Sequence, residues 1–95
     1  MPIVVQVWFH ESIRTALPGH RPVFHLIEVP FDTLDAFLAE VERDTFIRGT
    51  HLLVKWAEGH RHVREVTARK PLTFRGSSVH RVTLSRWPII DRATA

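Results

Sequence analysis

The chain has no cysteine. Neither a disulfide nor a thiolate metal site is open to it, which fits a reducing compartment, with the cytoplasm as the default expectation. It also lacks any apolar run approaching the roughly 20 residues that cross a bilayer as a helix, so no membrane partner is expected. The opening MPIVVQVWF is apolar but carries no basic flank and no small-residue cleavage site, and it reads as a first strand rather than a signal peptide. There is no internal repeat, low-complexity tract or linker, and residues 1–95 read as a single domain. No catalytic motif stands out, no cofactor is expected, and the aromatic signature of an RNA-recognition sheet is missing.

Positive charge is scarce in the first half and abundant in the second. Residues 1–47 hold three basic side chains, Arg14, Arg21 and Arg43, against seven acidic ones, a balance of −4. Residues 48–95 hold ten basic against three acidic, a balance of +7, and the whole chain carries +3. This asymmetry is the strongest functional signal in the sequence.

One stretch has an unambiguous period. In Phe31 to Arg43, apolar residues fall at Phe31, Leu34, Phe37, Leu38 and Val41, the stripe of a half-buried helix. Pro30 precedes it. Asp32 is placed to cap it, Asp35 suits its first turn, and Arg43 suits its end. The other segments read as strands. They are Ile3 to Phe9, Val23 to Val29, His51 to Ala57, His62 to Arg69, a short Leu72 to Phe74, and Val79 to Arg86. His10 to Leu17 suits either a helical turn or an extension of the first strand, and Ile13, Thr15 and Leu17 tip it towards strand. Phe46 and Ile47 are expected to pack under the helix, with Arg48-Gly49, Glu58-Gly59 and Gly76-Ser77-Ser78 as turns. Val63 and Val66 have opposite parity, which a bulge between them would reconcile.

The expected fold is therefore α+β, with one principal helix on a mostly antiparallel, curved sheet of five to six strands in the order β-β-α-β-β-β. The first two strands are apolar on both faces, and one helix cannot cover both. The sheet must curl, or a second copy must cover it, and a homodimer is the preferred reading. The apolar Trp87, Ile89 and Ile90 are its candidate interface residues.

Three constellations could carry function. Lys55, Arg61, Arg64, Arg69, Lys70, Arg75, Arg81 and Arg86 lie on or between the later strands and could meet phosphates, with Thr83 and Ser85 as neutral donors and Phe74 and Trp87 as stacking partners. The competing reading makes these cations the solvated face of an amphipathic sheet. His60 and His62 could share a metal ion, joined by His51 or His80 and by Glu58 or Glu65. Ser77 or Ser78 with His80 and Asp91, or His62, Arg64 and His80, contain the residue types of a hydrolase or ribonuclease. Trp8 and Trp56 read as packing anchors, and His25 as a hydrogen-bonded core or interface histidine. The favoured function is a small non-enzymatic binding or assembly module of unknown role, with nucleic acid or another polyanion as the candidate ligand of its basic C-terminal sheet. A histidine-dependent metal-binding protein or ribonuclease-like enzyme is the alternative.

Overall fold

The structure is a computed structural model and describes residues 1–59, 62–85 and 88–90. Strand β1 (Ile3–Phe9) leads into a short helix α1 (His10–Arg14), and strand β2 (His25–Val29) precedes helix α2 (Leu34–Glu42). Strands β3 (Phe46–Trp56) and β4 (Arg64–Arg75), a 3-10 turn at Gly76–Ser78, strand β5 (Val79–Leu84) and strand β6 (Ile89–Ile90) complete the chain. The six strands form one sheet in the order β5-β1-β2-β3-β4-β6. All pairings are antiparallel except β4 with β6, where Arg64 and Glu65 run parallel to Ile89 and Ile90. Among the described residues, no helix is long and apolar enough to cross a membrane.

Helix α2 covers one face of this sheet because its stripe finds a matching floor. Phe37 is fully buried against Val5, Val7, Ile27, Val29, Ile47 and Phe74, with Phe31, Leu34 and Val41 packed around them. The rings of Phe31 and Phe37 lie 5.7 Å apart, those of Phe37 and Phe74 6.4 Å, and those of Phe9 and Phe74 5.4 Å. Truncating a buried phenylalanine of this kind costs about 3–5 kcal/mol. The cap is Thr33, whose Oγ1 accepts from the Ala36 N–H at 3.1 Å. Asp32, one residue too early to cap, pairs instead with the N-terminal ammonium.

The far end of α2 is locked to the β4–β5 connection. Asp44 adopts a left-handed backbone (φ 54°) just past the helix. Its carboxylate accepts from the Ser77 N–H at 2.8 Å and from Arg75 Nη2 at 2.9 Å. These bonds, the Ser77 N–H first, hold its pKa below the ordinary 3.8. Gly76 donates to the Thr45 carbonyl at 3.2 Å and packs so closely that an added Cβ would lie 2.1 Å from the Val41 carbonyl oxygen.

Several boundaries differ from the sequence reading, each for a physical reason. His10–Arg14 is helix, not strand: it starts where the β1–β5 ladder shifts register at Trp8/Phe9, and the Thr15 hydroxyl closes it on the Glu11 carbonyl at 2.9 Å. β2 is shorter than expected and starts at His25. Arg48-Gly49 is not a turn. Gly49 lies within β3, where a Cβ would meet Ile27 Cγ2 at 2.8 Å and the Glu28 carbonyl at 2.9 Å, so the glycine permits close strand packing. β3 therefore starts at Phe46, which is exposed, while Ile47 is buried. The two short strands expected around Pro71 are one strand, β4. Pro71 sits beyond the two residues that pair with β6, where β4 is an edge and a missing donor costs no ladder bond on that side. The irregularity expected between Val63 and Val66 lies one residue later, at Thr67, opposite Leu53/Val54.

The covered face ends in one polar contact. His25 Nδ1 and His51 Nε2 lie 3.4 Å apart beside the Phe9 ring. Burial first, then the positive charge of His25 and Lys70, pushes the His51 pKa below the ordinary 6.5.

Two outcomes follow. Gly76→Ala forces the β4–β5 turn away from α2 and lowers unfolding free energy by about 1–3 kcal/mol, read as a lower urea midpoint at unchanged slope. For His51 the folded value lies below the unfolded one, so the unfolded chain binds the proton first on acidification. Its contribution is complete above about pH 6.5 and is lost as pH falls through the folded value, a window well above that of Asp44. Urea midpoints measured from neutral to mildly acidic pH should fall, and His51→Gln should flatten that fall.

Candidate polyanion site

Strand alternation sends the sequence-predicted cations in different directions. Lys55 faces Glu65 at 3.9 Å, and Arg69 faces Glu28 at 3.7 Å. Arg75 is held by Asp44 and covers the Phe46 ring at 5.5 Å. Lys70, opposite His51 in the ladder, belongs to the face that α2 covers. Arg61 and Arg86 lie outside the described residues. One continuous basic ribbon is therefore not present among the described residues. Arg64 and Arg81 are the pair that the fold brings together.

They meet on the face of the sheet opposite α2. In β1 this face carries Val4, Gln6 and Trp8, and in β2 it carries Leu26 and Glu28. The β3–β4 pairing of Trp56 with Arg64 and the β1–β5 pairing of Trp8 with Arg81 place both arginines on it. The guanidinium of Arg64 lies over Phe24 at 5.2 Å and over Trp56 at 5.3 Å, so it is held between two rings. Arg81 lies over Trp8 at 5.1 Å, and Trp8 and Phe24 pack together at 5.3 Å. Each such cation–ring contact contributes roughly 0.5–2 kcal/mol, depending on how well water is excluded. Together they fix where the two cations sit.

A cavity of about 740 Å³ opens between them, lined by Gln6, Trp8, Arg21, Phe24, Arg64, Arg81, Thr83 and Leu84. Among the described residues, three arginines line it and no carboxylate does. Gln6 is buried and its Oε1 accepts from the Thr83 hydroxyl at 3.2 Å, which leaves its amide as a neutral donor. Arg64 Nη1 is buried without a hydrogen-bond partner among the described residues. Burial lowers the pKa of this guanidinium from its ordinary value. An arginine nevertheless stays charged in a protein. The result is a cation with one donor unused, in a setting where unused donors are costly.

From sequence, Trp8 and Trp56 read as packing anchors, and neither Phe24 nor Arg21 carries a site motif. Trp56 does not face inward but is exposed beside Arg64. Phe74, expected as a stacking partner, is buried under α2. The one available signal was the parity of Gln6, Trp8, Leu26 and Phe24, which share the second faces of their strands.

The histidines and serines are not gathered into one centre. His10 packs on His80 at 5.1 Å, and His62, with a left-handed backbone (φ 62°), stands beside Trp56. His60 lies outside the described residues, so its pairing with His62 does too. Among the described residues no three His, Asp or Glu side chains converge as metal ligands. The Ser78 hydroxyl donates to the Arg75 carbonyl at 2.6 Å, as part of the 3-10 turn. Asp91 and Trp87 lie outside the described residues, while Ile89 and Ile90 are half-buried beside β4.

No protein family matches this chain, and no curated protein or solved structure is detectably similar to it. The geometry of the helix-free face therefore stands as the basis for a functional assignment.

Proposed function

We propose that this protein is a small non-enzymatic binding module that takes single-stranded nucleic acid on the helix-free face of its sheet. The observation that carries this reading is Arg64, gripped by Phe24 and Trp56, with Nη1 unpartnered among the described residues, in a cavity that it shares with Arg21 and Arg81 and that no described carboxylate lines. Guanidinium groups bond phosphate oxygens through paired N–H donors. The half-exposed Trp56 and Trp8 rings offer the flat apolar surface on which unpaired bases stack. A duplex has its rings sequestered, so the single strand is the better fit. Lys55, Arg69 and Arg75 contribute less, because they already face carboxylates. The homodimer reading draws support from Leu17 and Phe46, large apolar side chains left exposed that line neither this cavity nor its arginines' surroundings. A monomer in sedimentation at micromolar concentration would remove it.

The binding reading is tested by anisotropy of a labelled single-stranded oligonucleotide across a salt series. Affinity should fall steeply with salt, and Arg64→Gln and Arg81→Gln should each weaken binding and reduce the slope by about 1. Lys70→Ala, on the other side of the sheet, should change affinity less than about twofold. Equal losses from Lys70→Ala and Arg64→Gln would contradict the assignment.

A further inference from the structure

The helix-free face is not a flat track. The β2–β3 ladder begins at Leu26 opposite Leu52, and ahead of that pair the strands part. A second cavity, about 570 Å³, lies in the gap, with Phe24, Leu26, Leu52 and Val54 among its walls and Arg64 at its margin. Phe24 and Arg64 line both this apolar cavity and the arginine-lined one, so the two adjoin at those side chains. The first cavity is lined by arginines and the second mainly by apolar side chains, with His25 and His51 also on its wall, and Arg64 lines both.

We infer that the site recognises the end of a strand, binding a terminal phosphate monoester in the arginine-lined cavity and the adjoining base in the apolar gap. This rests on the nucleic-acid reading above. Three chemical arguments favour an end over an internal link. A phosphate monoester carries close to two negative charges at neutral pH. An internal diester carries one. Among the described residues, three guanidinium groups and no carboxylate line the cavity, which matches the higher charge. Arg64 is also held between two rings and lines the cavity, so a phosphate meets it within the cavity. An internal phosphate would have to bring the chain in and out on both sides, whereas a terminal one needs a single exit. Finally, the apolar walls of the gap suit one unstacked base rather than a run of them.

The test compares three versions of one labelled single-stranded oligonucleotide, with a 5′-phosphate, a 3′-phosphate or two hydroxyl ends, by anisotropy at fixed salt. One phosphorylated version should bind about tenfold more tightly than the unphosphorylated strand, and which one identifies the end that is read. Arg64→Gln should erase that preference while leaving weak, salt-sensitive binding of all three, with circular dichroism confirming that it folds. Leu52→Gln, placed in the apolar gap, should weaken the phosphorylated strand most. Equal affinity for all three strands with the native protein overturns end recognition and leaves the general binding reading standing. Absence of binding by all three overturns both.

Discussion

A guanidinium trapped between two aromatic rings, with a donor nitrogen buried and unused, is the feature on which the functional account depends. Arg64 costs the fold something: its charge is partly removed from water, and Nη1 has no hydrogen-bond partner among the described residues. The rings of Phe24 and Trp56 return part of that cost through cation–π attraction. They do not supply an acceptor. A side chain pre-positioned in this way, and incompletely satisfied, loses little freedom when an anion arrives, because its rotamer is already set.

Such a site needs a sheet with unlike faces. The helix α2 provides the difference. Its Phe37 gathers the apolar side chains of β1, β2, β3 and β4 onto one side, and the Asp44–Ser77–Arg75 contacts with Gly76 hold its far end in place. Because side chains alternate along a strand, every residue drawn under α2 sends its neighbours to the opposite face. Val5 and Val7 under the helix mean Gln6 and Trp8 on the far side. Phe74 under the helix likewise leaves the sheet's stacking surface to Trp8, Phe24 and Trp56. The excess apolar sheet is thus partly covered by arginine stems and partly left as cavity walls.

Much of this was legible in the sequence where one pattern had one explanation. The stripe of Phe31, Leu34, Phe37 and Val41 has only a helical reading, and that segment is helical from Leu34 with Phe31 packed beside it. The sequence was misleading at Gly49 and Pro71. Both are local breakers, yet one serves close packing against Ile27 and the other sits on an edge, and neither context is visible locally. The helix at His10–Arg14 lacked a side-chain cap to announce it. At the site, the late arginines were visible as a charge bias, but their pairing was not. Glu28 and Asp44 come from the acidic first half to neutralise Arg69 and Arg75, a long-range match that residue spacing cannot show. Arg21 was hidden for the converse reason, since it is a basic residue of the acidic half.

Ligand contacts should be confined to the face opposite α2 and centred on Arg64. The most direct measurement is an NMR titration that follows backbone amides and arginine Nε–Hε resonances as a single-stranded oligonucleotide is added. The account predicts shifts concentrated at Gln6, Trp8, Phe24, Arg64 and Arg81, with Phe37, Asp44 and Gly76 unmoved. Shifts clustered on α2 or around Arg75 and Lys70, with Arg64 unchanged, would contradict it.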